Sequence, residues 1–316
     1  MNRLIIIDGN AILHRAFHAL PPLTAPDGTL TNAVYGFTSM LIRLIFDLAP
    51  THIAVAFDRP KPTFRKELYK EYQIKRPKMD EGLAAQIPMV HDVLSAMQIP
   101  IFEQDGFEAD DVIGTLCNNK PKTINQVIIV TGDRDLLQLV TDTTKAYMPT
   151  KGLSEAKLFG PAETKERLGV DPTQIPDYKA LAGDQSDNYP GVHGVGPKTA
   201  TDLIKNYKTI ELLYKAVDKN TVKISSGLKE KLTKNKELAI LSKTLATIRT
   251  DVPINTHVAP LTKEQLKTPA VIKQFELLGF TTLIKRLLGN GKAQTKGTRK
   301  KNEEHKKSVD EQMSLV

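Results

Sequence analysis

The first half of the chain alternates short apolar runs with longer amphipathic stretches, and this alternation limits the possible folds more than any other feature. The strand candidates are Leu4–Ile7, Ile53–Phe57 and Val127–Val130, with weaker ones at Ile99–Phe102 and Lys145–Met148. The helical patterns between them are Ala33–Asp47, Leu83–Met97 and Asp110–Asn118. Continuous apolar strands separated by helices are typical of a parallel sheet covered on both faces, which binds ligands beyond the carboxyl ends of its strands.

From about Glu163 the strand signals fade, and short helical segments punctuated by glycine and proline take over. These segments are Asp177–Ala182, Pro197–Asn206, Ile210–Ala216, Ser226–Ala246, Pro269–Leu278 and Thr281–Leu288. A length of 316 residues allows two domains, at roughly 100–200 residues each. We therefore expect an α/β domain over residues 1–162 and a mostly helical domain over residues 163–290. Residues 291–316 hold seven Lys or Arg and few large apolar side chains, so we expect a disordered basic tail.

Composition favours a polyanionic partner. The chain carries 44 Lys or Arg against 36 Asp or Glu, a formal net charge of +8, which favours nucleic acid. Its one cysteine, Cys117, excludes an intrachain disulfide and is typical of a reducing compartment. The N-terminal apolar run is too short for a signal peptide or a membrane span. We expect a soluble cytoplasmic protein.

Three of the strand candidates are followed by an aspartate: Asp8, Asp58 and, two residues further on, Asp133. For each one alone, the alternative is an N-cap of the next helix. Because the carboxyl ends of parallel strands meet at one sheet edge, however, the three carboxylates would converge and would need neutralising.

Further acids gather at similar places. They are Glu108, Asp110 and Asp111 in GFEADDVIG, Asp135 in TGDRD, and Asp184 and Asp187 in GDQSDN. The alternative for the first three is a helix first turn enriched in acids. Nine carboxylates in a basic protein suit hard divalent cations, and two such ions about 4 Å apart can clamp a scissile phosphate. His14 and His18 lie four residues apart without a zinc motif, so we expect both in a surface or core role.

A basic segment, Arg59–Lys78, directly follows Asp58. It carries eight Lys or Arg against two Glu, with aromatic rings interleaved. The alternative is a solvated charged helix. Cations neutralise phosphates and rings stack on unpaired bases, so we expect DNA contacts from this segment. The candidate residues are Arg65, Lys66, Tyr69, Lys70 and Tyr72.

The sequence PGVHGVGPKTATDLI in the second half is typical of a helix-hairpin-helix. Gly191, Gly194 and Gly196 permit a tight turn, and Pro197 fits the first position of the next helix. Free amides at that helix start can hold a phosphate, with Lys198 adding charge. The candidate DNA contacts are Gly194, Gly196, Lys198 and Thr199.

The motifs IDGN, FDRPKPTFR, GFEADDVIGTL, TGDRDLLQL and LAGDQSDNYPGVHGVGPKTA, in this order and spacing, resemble bacterial 5′ nucleases. This 5′→3′ exonuclease and flap endonuclease family includes the N-terminal nuclease domains of bacterial DNA polymerase I. The resemblance covers residues 2–290. It implies a PIN-like α/β fold with a parallel twisted sheet, a helical arch near residues 59–82, and a helix-three-turn-helix DNA-binding region.

The resemblance also implies an activity, a cofactor and site residues. The activity is metal-dependent hydrolysis of phosphodiester bonds in DNA with 5′ flaps, nicks or 5′ ends, and in RNA primers, in replication and repair. Two Mg²⁺, with Mn²⁺ as a substitute, would be held by two groups of acids. The first acid group is Asp8, Asp58, Glu108, Asp110 and Asp111. The second acid group is Asp133, Asp135, Asp184 and Asp187.

Cationic residues follow from the same resemblance. Arg15 matches a basic residue near the active site, Arg76 matches the arch arginine, and a monovalent cation such as K⁺ would sit on the hairpin carbonyls. One position departs from the pattern, because Gln73 stands where the family usually has an arch lysine. Lost cationic help of this kind can cost about 3 kcal/mol, and Lys70 or Lys75 could partly substitute.

Two other functions stay open: a non-catalytic DNA-structure-binding protein on the same fold, and a PIN-type ribonuclease. The length leaves room for the nuclease and its hairpin region but for no polymerase domain, so a DNA polymerase would act as a separate chain or follow in a longer protein. The tail would then be a linker or a free DNA-contacting extension. We expect a monomer at the bacterial nucleoid.

Overall fold

The computed structural model describes residues 2–151 and 155–289, and its centre is one six-stranded sheet. The strands are β1 (Arg3–Asp8), β2 (His52–Ala56), β3 (Ile101–Phe102), β4 (Gln126–Val130), β5 (Thr144–Lys151) and β6 (Glu155–Phe159). Their order across the sheet is β3-β2-β1-β4-β5-β6. The pairs from β3 to β5 are parallel and β6 runs antiparallel to β5. The carboxyl ends of β1, β2 and β4 therefore meet at one edge.

All five predicted strands are present, and their parallel arrangement is confirmed. The sheet is mixed because of the sixth strand, which the sequence analysis did not predict. Its five residues, EAKLF, lie at the sheet edge and pair with one neighbour only. A strand in that position buries little, so its sequence lacks the continuous apolar run that marks the central strands.

Fourteen helices surround the sheet or form the second half of the described chain. Those of the first half are α1 (Gly9–Ala19), α2 (Asn32–Leu48), α3 (Phe64–Leu68), α4 (Glu81–Ala84), α5 (Ile87–Ala96) and α6 (Ala109–Asn118). Those of the second half are α7 (Pro161–Leu168), α8 (Ile175–Ala182), α9 (Pro197–Tyr207), α10 (Ile210–Asp218), α11 (Ser226–Lys234), α12 (Lys236–Ala246), α13 (Pro269–Leu277) and α14 (Thr281–Leu287).

Two helices predicted as continuous are each divided. Leu83–Met97 is divided between α4 and α5, where Pro88 fits the first turn of the new helix. Ser226–Ala246 is divided at Asn235, which ends α11 and begins α12. Amphipathic periodicity continues across both breaks, so the sequence pattern alone could not detect them.

The sheet faces follow from the alternation of side chains along β1. Ile5 and Ile7 point into a core with α2 and α5, and Leu4 and Ile6 point into a core with α6 on the opposite face. Burial on both faces explains why this strand is a continuous apolar run. It also fixes Asp8, the next residue, at the sheet edge.

After α12, the chain returns to the half that contains the sheet. Ile248 and Val252 pack into the α6 face, and Phe275, Phe280 and Leu283 from the last helices pack into the α2 and α5 face. The predicted second domain, residues 163–290, includes α13 and α14. A separate apolar core holds α8, α9 and α10 together with the end of the sheet. The helices that pack into this separate core therefore end with α12, near Ala246.

The predicted tail, residues 291–316, lies outside the described residues. Within the part of the chain that is described, no helix is both long enough and apolar enough to cross a membrane.

Candidate active site

Asp8 sits at the centre of the sheet edge and connects two strand ends. Its Oδ1 accepts a hydrogen bond from the Ala11 amide at 3.0 Å, so Asp8 caps the N-terminus of α1 and keeps a lone pair on this oxygen. Its Oδ2 accepts a hydrogen bond from the Thr131 hydroxyl at 2.7 Å. Since Thr131 directly follows β4, the side chain ties the ends of β1 and β4 together.

Asp58 lies beyond the end of β2 and is fixed from two sides. Its Oδ1 accepts a hydrogen bond from the Ala109 amide, the first residue of α6, at 2.7 Å. Its own amide donates to the Asn10 side chain at 2.9 Å. The strand end is thereby held against α1 and against the helix that carries Glu108, Asp110 and Asp111.

The carboxylates lie close enough to repel one another. Burial raises the pKa of Asp8 to about 7, with further repulsion from Asp58 and Asp133. Burial also raises the pKa of Asp110, and Asp133, Asp8, Glu108 and Asp135 add to this effect. This repulsion between residues of the first and second acid groups shows that both groups form one electronegative site. Such a site needs cations to stay ionised at neutral pH.

Asp111 is an exception and corrects the predicted ligand set. It is fully buried, with 0% of its surface exposed. Its two oxygens accept hydrogen bonds from the guanidinium of Arg65 at 2.6 and 2.8 Å, from the Arg249 amide at 2.8 Å and from the Glu108 amide at 3.1 Å. Four donors saturate the carboxylate, so Asp111 organises the site and has no lone pair left for a metal.

The second acid group contains the closest set of carboxylates among the described residues. One oxygen each from Asp135, Asp184 and Asp187 lies within 4.8 Å of the others. Asp133 stands beside this set, where its Oδ1 accepts a hydrogen bond from the Asp135 amide at 2.8 Å. Three oxygens at this separation can share one hard divalent cation.

Lys179 of α8 enters the same cluster, and the sequence analysis missed it. Its ammonium contacts both Asp135 and Asp184. Burial lowers the pKa of Lys179, but these carboxylates outweigh that effect and hold the pKa above its ordinary value. The Lys179 ammonium thus offsets part of the repulsion among these acids. The sequence signal for Lys179 is its position in the last turn of α8, five residues before Asp184.

The loop that carries Asp184 and Asp187 is closed by a glycine pair. Gly191 has φ +63°, and a Cβ there would lie 2.3 Å from the Gly183 nitrogen. Asp184 and Tyr189 exchange backbone hydrogen bonds at 2.8 and 3.0 Å. A side chain at Gly191 would push the two ends of the loop apart. This glycine therefore keeps closed the loop that carries Asp184 and Asp187.

The basic segment divides into exposed cations and buried anchors. Lys66, Lys70, Lys75 and Arg76 are exposed, and Tyr69 is half-buried. These side chains are therefore accessible to a polyanionic partner. Regular helix covers α3 alone, and turns continue through Arg76.

Two residues of this segment do not fit the predicted DNA contact. Arg65 is 2% exposed and Tyr72 is 3% exposed. The Arg65 guanidinium also donates to the carbonyl oxygens of Leu245 and Thr247 at 2.8 and 3.1 Å, at the end of α12. Tyr72 lies with its hydroxyl 3.2 Å from a Glu108 oxygen. Both residues face the protein interior and hold the segment to the acid site.

The hairpin leads into α9 with Gly196 at the N-cap and Pro197 in the first turn, as predicted. Gly194, Gly196 and Lys198 are exposed and Thr199 is half-buried. The ammonium of Lys231 lies 3.4 Å from the Gly194 carbonyl oxygen. The turn thus presents free amides and a cationic side chain to solvent.

Three further residues place the acids and were not predicted: Asn10, Thr131 and Gln73. Gln73 donates from its amide nitrogen to the Asp187 Oδ1 at 2.9 Å. Thr131 also accepts a hydrogen bond from the Asp133 amide at 2.9 Å. Each lies within two residues of a predicted site residue, which is the signal that could have identified it. Arg15 lies half-buried on α1.

The residues present fit a divalent metal. The donors are carboxylates only, which suits a hard cation. Three oxygens converge within 4.8 Å, and Asp8 and Asp110 carry raised pKa values that a bound cation would reverse. In the described structure the carboxylates of the first acid group are held less closely, by hydrogen bonds to Ala11, Thr131 and Ala109.

Comparison with known proteins gives two family matches that together span most of the chain. Residues 3–169 match the 5′-3′ exonuclease N-terminal resolvase-like domain, and residues 170–269 match the 5′-3′ exonuclease C-terminal SAM fold. DNA polymerase I of Bacillus subtilis (strain 168) is 44% identical over 285 residues, which is 90% of this chain and 32% of that protein. The chain thus spans about a third of the length of the curated relatives it matches.

Solved structures share the fold. A phage T5 5′-exonuclease with bound divalent metal ions (zinc) aligns with a TM-score of 0.64 at 22% identity, covering 90% of this chain and 99% of that one. A phage T5 flap endonuclease in a pseudo-enzyme–product complex with DNA and metal ions aligns with a TM-score of 0.64 at 20% identity, with the same coverage. With both halves matched in order, this chain belongs to the 5′-3′ exonuclease family.

Proposed function

We propose that the chain is a structure-specific 5′→3′ exonuclease and 5′-flap endonuclease that hydrolyses phosphodiester bonds of DNA, and of RNA primers, in replication and repair. One observation carries the proposal. Carboxylates from β1, β2, α6, β4 and the 184–191 loop converge at one sheet edge, beside a segment of exposed cations. An acidic metal site next to a basic surface suits a phosphodiester substrate.

The acids would hold two divalent ions, Mg²⁺ in the cell and Mn²⁺ as a substitute. Asp8, Asp58, Glu108 and Asp110 form the first set, and Asp133, Asp135, Asp184 and Asp187 form the second. Bound there, the ions would polarise the scissile phosphate and activate a water molecule. Asp111 supports the first set through Arg65, whose guanidinium also pairs with Glu108.

Arg76, Lys75 and Arg15 are the candidates for contacting the phosphate and orienting it. Arg76 is exposed and lies within electrostatic range of Asp58 and of His14 on α1. A guanidinium in this place can donate two parallel hydrogen bonds to phosphate oxygens. Charge that develops on the phosphate would thus be stabilised by the protein itself.

Two surfaces would bind DNA. Lys66, Tyr69 and Lys70 line the arch segment, residues 59–82, which would receive the single-stranded 5′ end. Lys198, Thr199 and the amides of Gly194 and Gly196 would hold the backbone of the duplex. A K⁺ on the hairpin carbonyls would have to share the Gly194 oxygen with Lys231.

The domain division proposed from the sequence keeps its first boundary near residue 162. Its helical DNA-binding part would end near Ala246, because the chain then returns to the nuclease core. The relatives are bacterial DNA polymerases, so a polymerase, on a separate chain or in a longer protein, is the partner we propose. We also propose that the chain acts as a monomer in the bacterial cytoplasm, at the nucleoid.

Cleavage of three matched substrates tests the activity. They are a duplex with a 5′ DNA flap, single-stranded DNA and single-stranded RNA, each with Mg²⁺ and with EDTA. We expect metal-dependent cutting of the flap near its junction and of duplex 5′ ends, leaving a 5′-phosphate. Preferred cutting of the RNA would support the ribonuclease alternative, and binding without cutting would support a non-catalytic DNA-binding protein.

A further inference from the structure

Residues 71–73 of the arch segment contact residues 187–189 in the loop of the second acid group, and this contact forms a continuous seam. The Gln73 backbone amide donates to the Asp187 carbonyl at 2.8 Å, and its side-chain amide donates to the Asp187 Oδ1 at 2.9 Å. In the opposite direction, the Asn188 side chain donates to the Glu71 carbonyl at 2.9 Å. Hydrogen bonds running both ways hold residues 71–73 against residues 187–189.

Backbone conformation and ring stacking support this seam. Gln73 and Asn188 have φ of +54° and +56°, a region that side-chain-bearing residues visit at a cost. Tyr72 stacks on Tyr189 with ring centroids 6.4 Å apart and planes 15° apart. Both rings are buried with Leu245 of α12. The packing of the neighbouring Tyr72 thus supports the position from which Gln73 contacts Asp187.

Asp187 is the acid that this seam positions. The Tyr72 hydroxyl has one proton and lies between two acids, 3.3 Å from the Asp187 Oδ2 and 3.2 Å from a Glu108 oxygen, so the Gln73 amide is the donor that Asp187 does not share with another carboxylate. A carboxylate oxygen accepts two hydrogen bonds, so each donor leaves a lone pair free. The free lone pair can face Asp135 and Asp184, whose oxygens lie within 4.8 Å.

We propose that Gln73 is a positioning residue that couples the arch segment to the second metal set by orienting the Asp187 carboxylate. The inference rests on the proposed function, because it assumes that the second acid group binds a divalent ion. A neutral amide suits this task, since it orients the carboxylate without competing for its charge. Because coupling is reciprocal, an ion bound by Asp187 should also hold the arch segment in its docked state.

Two measurements on the full chain test the proposal. The first is Mn²⁺ affinity without DNA, by calorimetry or electron paramagnetic resonance. The second is the rate of trypsin cleavage at the exposed Lys70, Lys75 and Lys78, with and without Mn²⁺. Gln73→Met removes the donor at similar length without branching. The matched control is Ile74→Ala, because Ile74 is the next residue and is 61% exposed.

We expect Gln73→Met to weaken one class of Mn²⁺ site about 10-fold and to reduce the protection of the arch segment by Mn²⁺, with the thermal unfolding temperature unchanged. Ile74→Ala should match the wild type. Unchanged Mn²⁺ affinity in Gln73→Met would overturn the inference.

A second variant separates orientation of Asp187 from general docking. Asn188→Gly loses the contact with Glu71 but keeps the Gln73 side-chain donor to Asp187, and glycine tolerates the positive φ. We expect faster trypsin cleavage with nearly wild-type Mn²⁺ affinity. An affinity loss equal to that of Gln73→Met would overturn the role given to Gln73. Absence of Mn²⁺ binding by the wild type would instead overturn the proposed function.

Discussion

Arg65 and Asp111 form a buried bidentate ion pair, with nitrogen–oxygen distances of 2.6 and 2.8 Å. The same guanidinium donates to the carbonyls of Leu245 and Thr247 at the end of α12. One side chain thus joins the start of the arch segment, the acid-bearing helix α6 and the helical region. The pair explains how the acid-bearing sheet edge and the basic segment keep a fixed relation.

Removing Arg65 should destabilise the protein strongly. Arg65→Ala leaves Asp111 charged, buried and without its main partner, at a cost of about 3–5 kcal/mol. Arg65→Lys should recover only part of this loss, because an ammonium cannot reproduce the bidentate contact. Urea unfolding of each variant measures the effect. The control is Arg59→Ala, whose partly exposed pairs with Glu103 and Asp105 should contribute less than about 1 kcal/mol. Equal losses in the two alanine variants would contradict the assignment.

Asp110 and Asp111 are neighbours in sequence but should respond in opposite ways to amide substitution. Burial and acidic neighbours disfavour the ionised form of the Asp110 carboxyl, so Asp110→Asn should abolish cleavage while the metal-free protein stays at least as stable as the wild type. Asp111→Asn breaks the ion pair with Arg65 and should lower the free energy of unfolding. Flap cleavage and urea unfolding of the two variants decide the point. Loss of stability in Asp110→Asn, with Asp111→Asn stable, would reverse the roles.

Stability without metal should fall as the pH rises. The pKa of Asp8 and of Glu108 is raised to about 7, from 3.8 and 4.5, chiefly by burial. The folded state thus binds these protons more tightly than the unfolded chain does. The stability that this binding contributes is lost as the pH rises from the unfolded pKa to the folded pKa of each carboxyl. In EDTA, we expect a lower unfolding temperature at about pH 8 than at about pH 5, and Mn²⁺ should restore more stability at the higher pH.

Asp8→Asn serves as the control for that pH dependence, because its side chain cannot ionise. Its unfolding temperature should change less across the same range. A wild-type protein that becomes more stable in EDTA as the pH rises would show that these carboxyls do not govern the dependence.

Gly191→Ala should damage the second acid group through the backbone. The residue has φ +63°, and the added Cβ would lie 2.3 Å from the Gly183 nitrogen. We expect a loss of roughly 2 kcal/mol or more, together with weaker Mn²⁺ binding. Gly227→Ala is the matched control, because a Cβ there meets no atom within 4 Å. Unaltered Mn²⁺ affinity in Gly191→Ala would show that the loop does not need this closure.

The sequence predicted the parts of the fold that depend on local pattern. Strands such as Leu4–Ile7 are buried on both faces, so their composition reveals them, and the aspartates that follow must meet at one edge. By contrast, α3 has only five residues, too few to show which side faces inward. For this reason Arg65 appeared to be a surface residue, and Tyr72 lies in the turns beyond α3, where no periodicity shows which side is buried.

Packing between distant segments of the chain cannot be predicted from the local sequence pattern. Phe275 and Phe280 belong to helices that look like any amphipathic helix, and the sequence gives no sign that they fold back onto the first core. Asp111 and Asp110 differ in role because one faces Arg65. That contact spans 46 positions in the chain. Only the folded structure separates Asp111, held in a buried ion pair, from the neighbouring Asp110.

The most direct test of the central claim is single-turnover cleavage of a 5′-flap DNA in Mg²⁺ by the wild type and by Asp133→Ala. Asp133 is exposed, so its loss should leave the fold intact, which a thermal melt can verify. We predict robust cutting by the wild type and a rate at least about 10²-fold lower for the variant, the scale on which a single transition-state contact acts. Wild-type cleavage by Asp133→Ala would contradict the account.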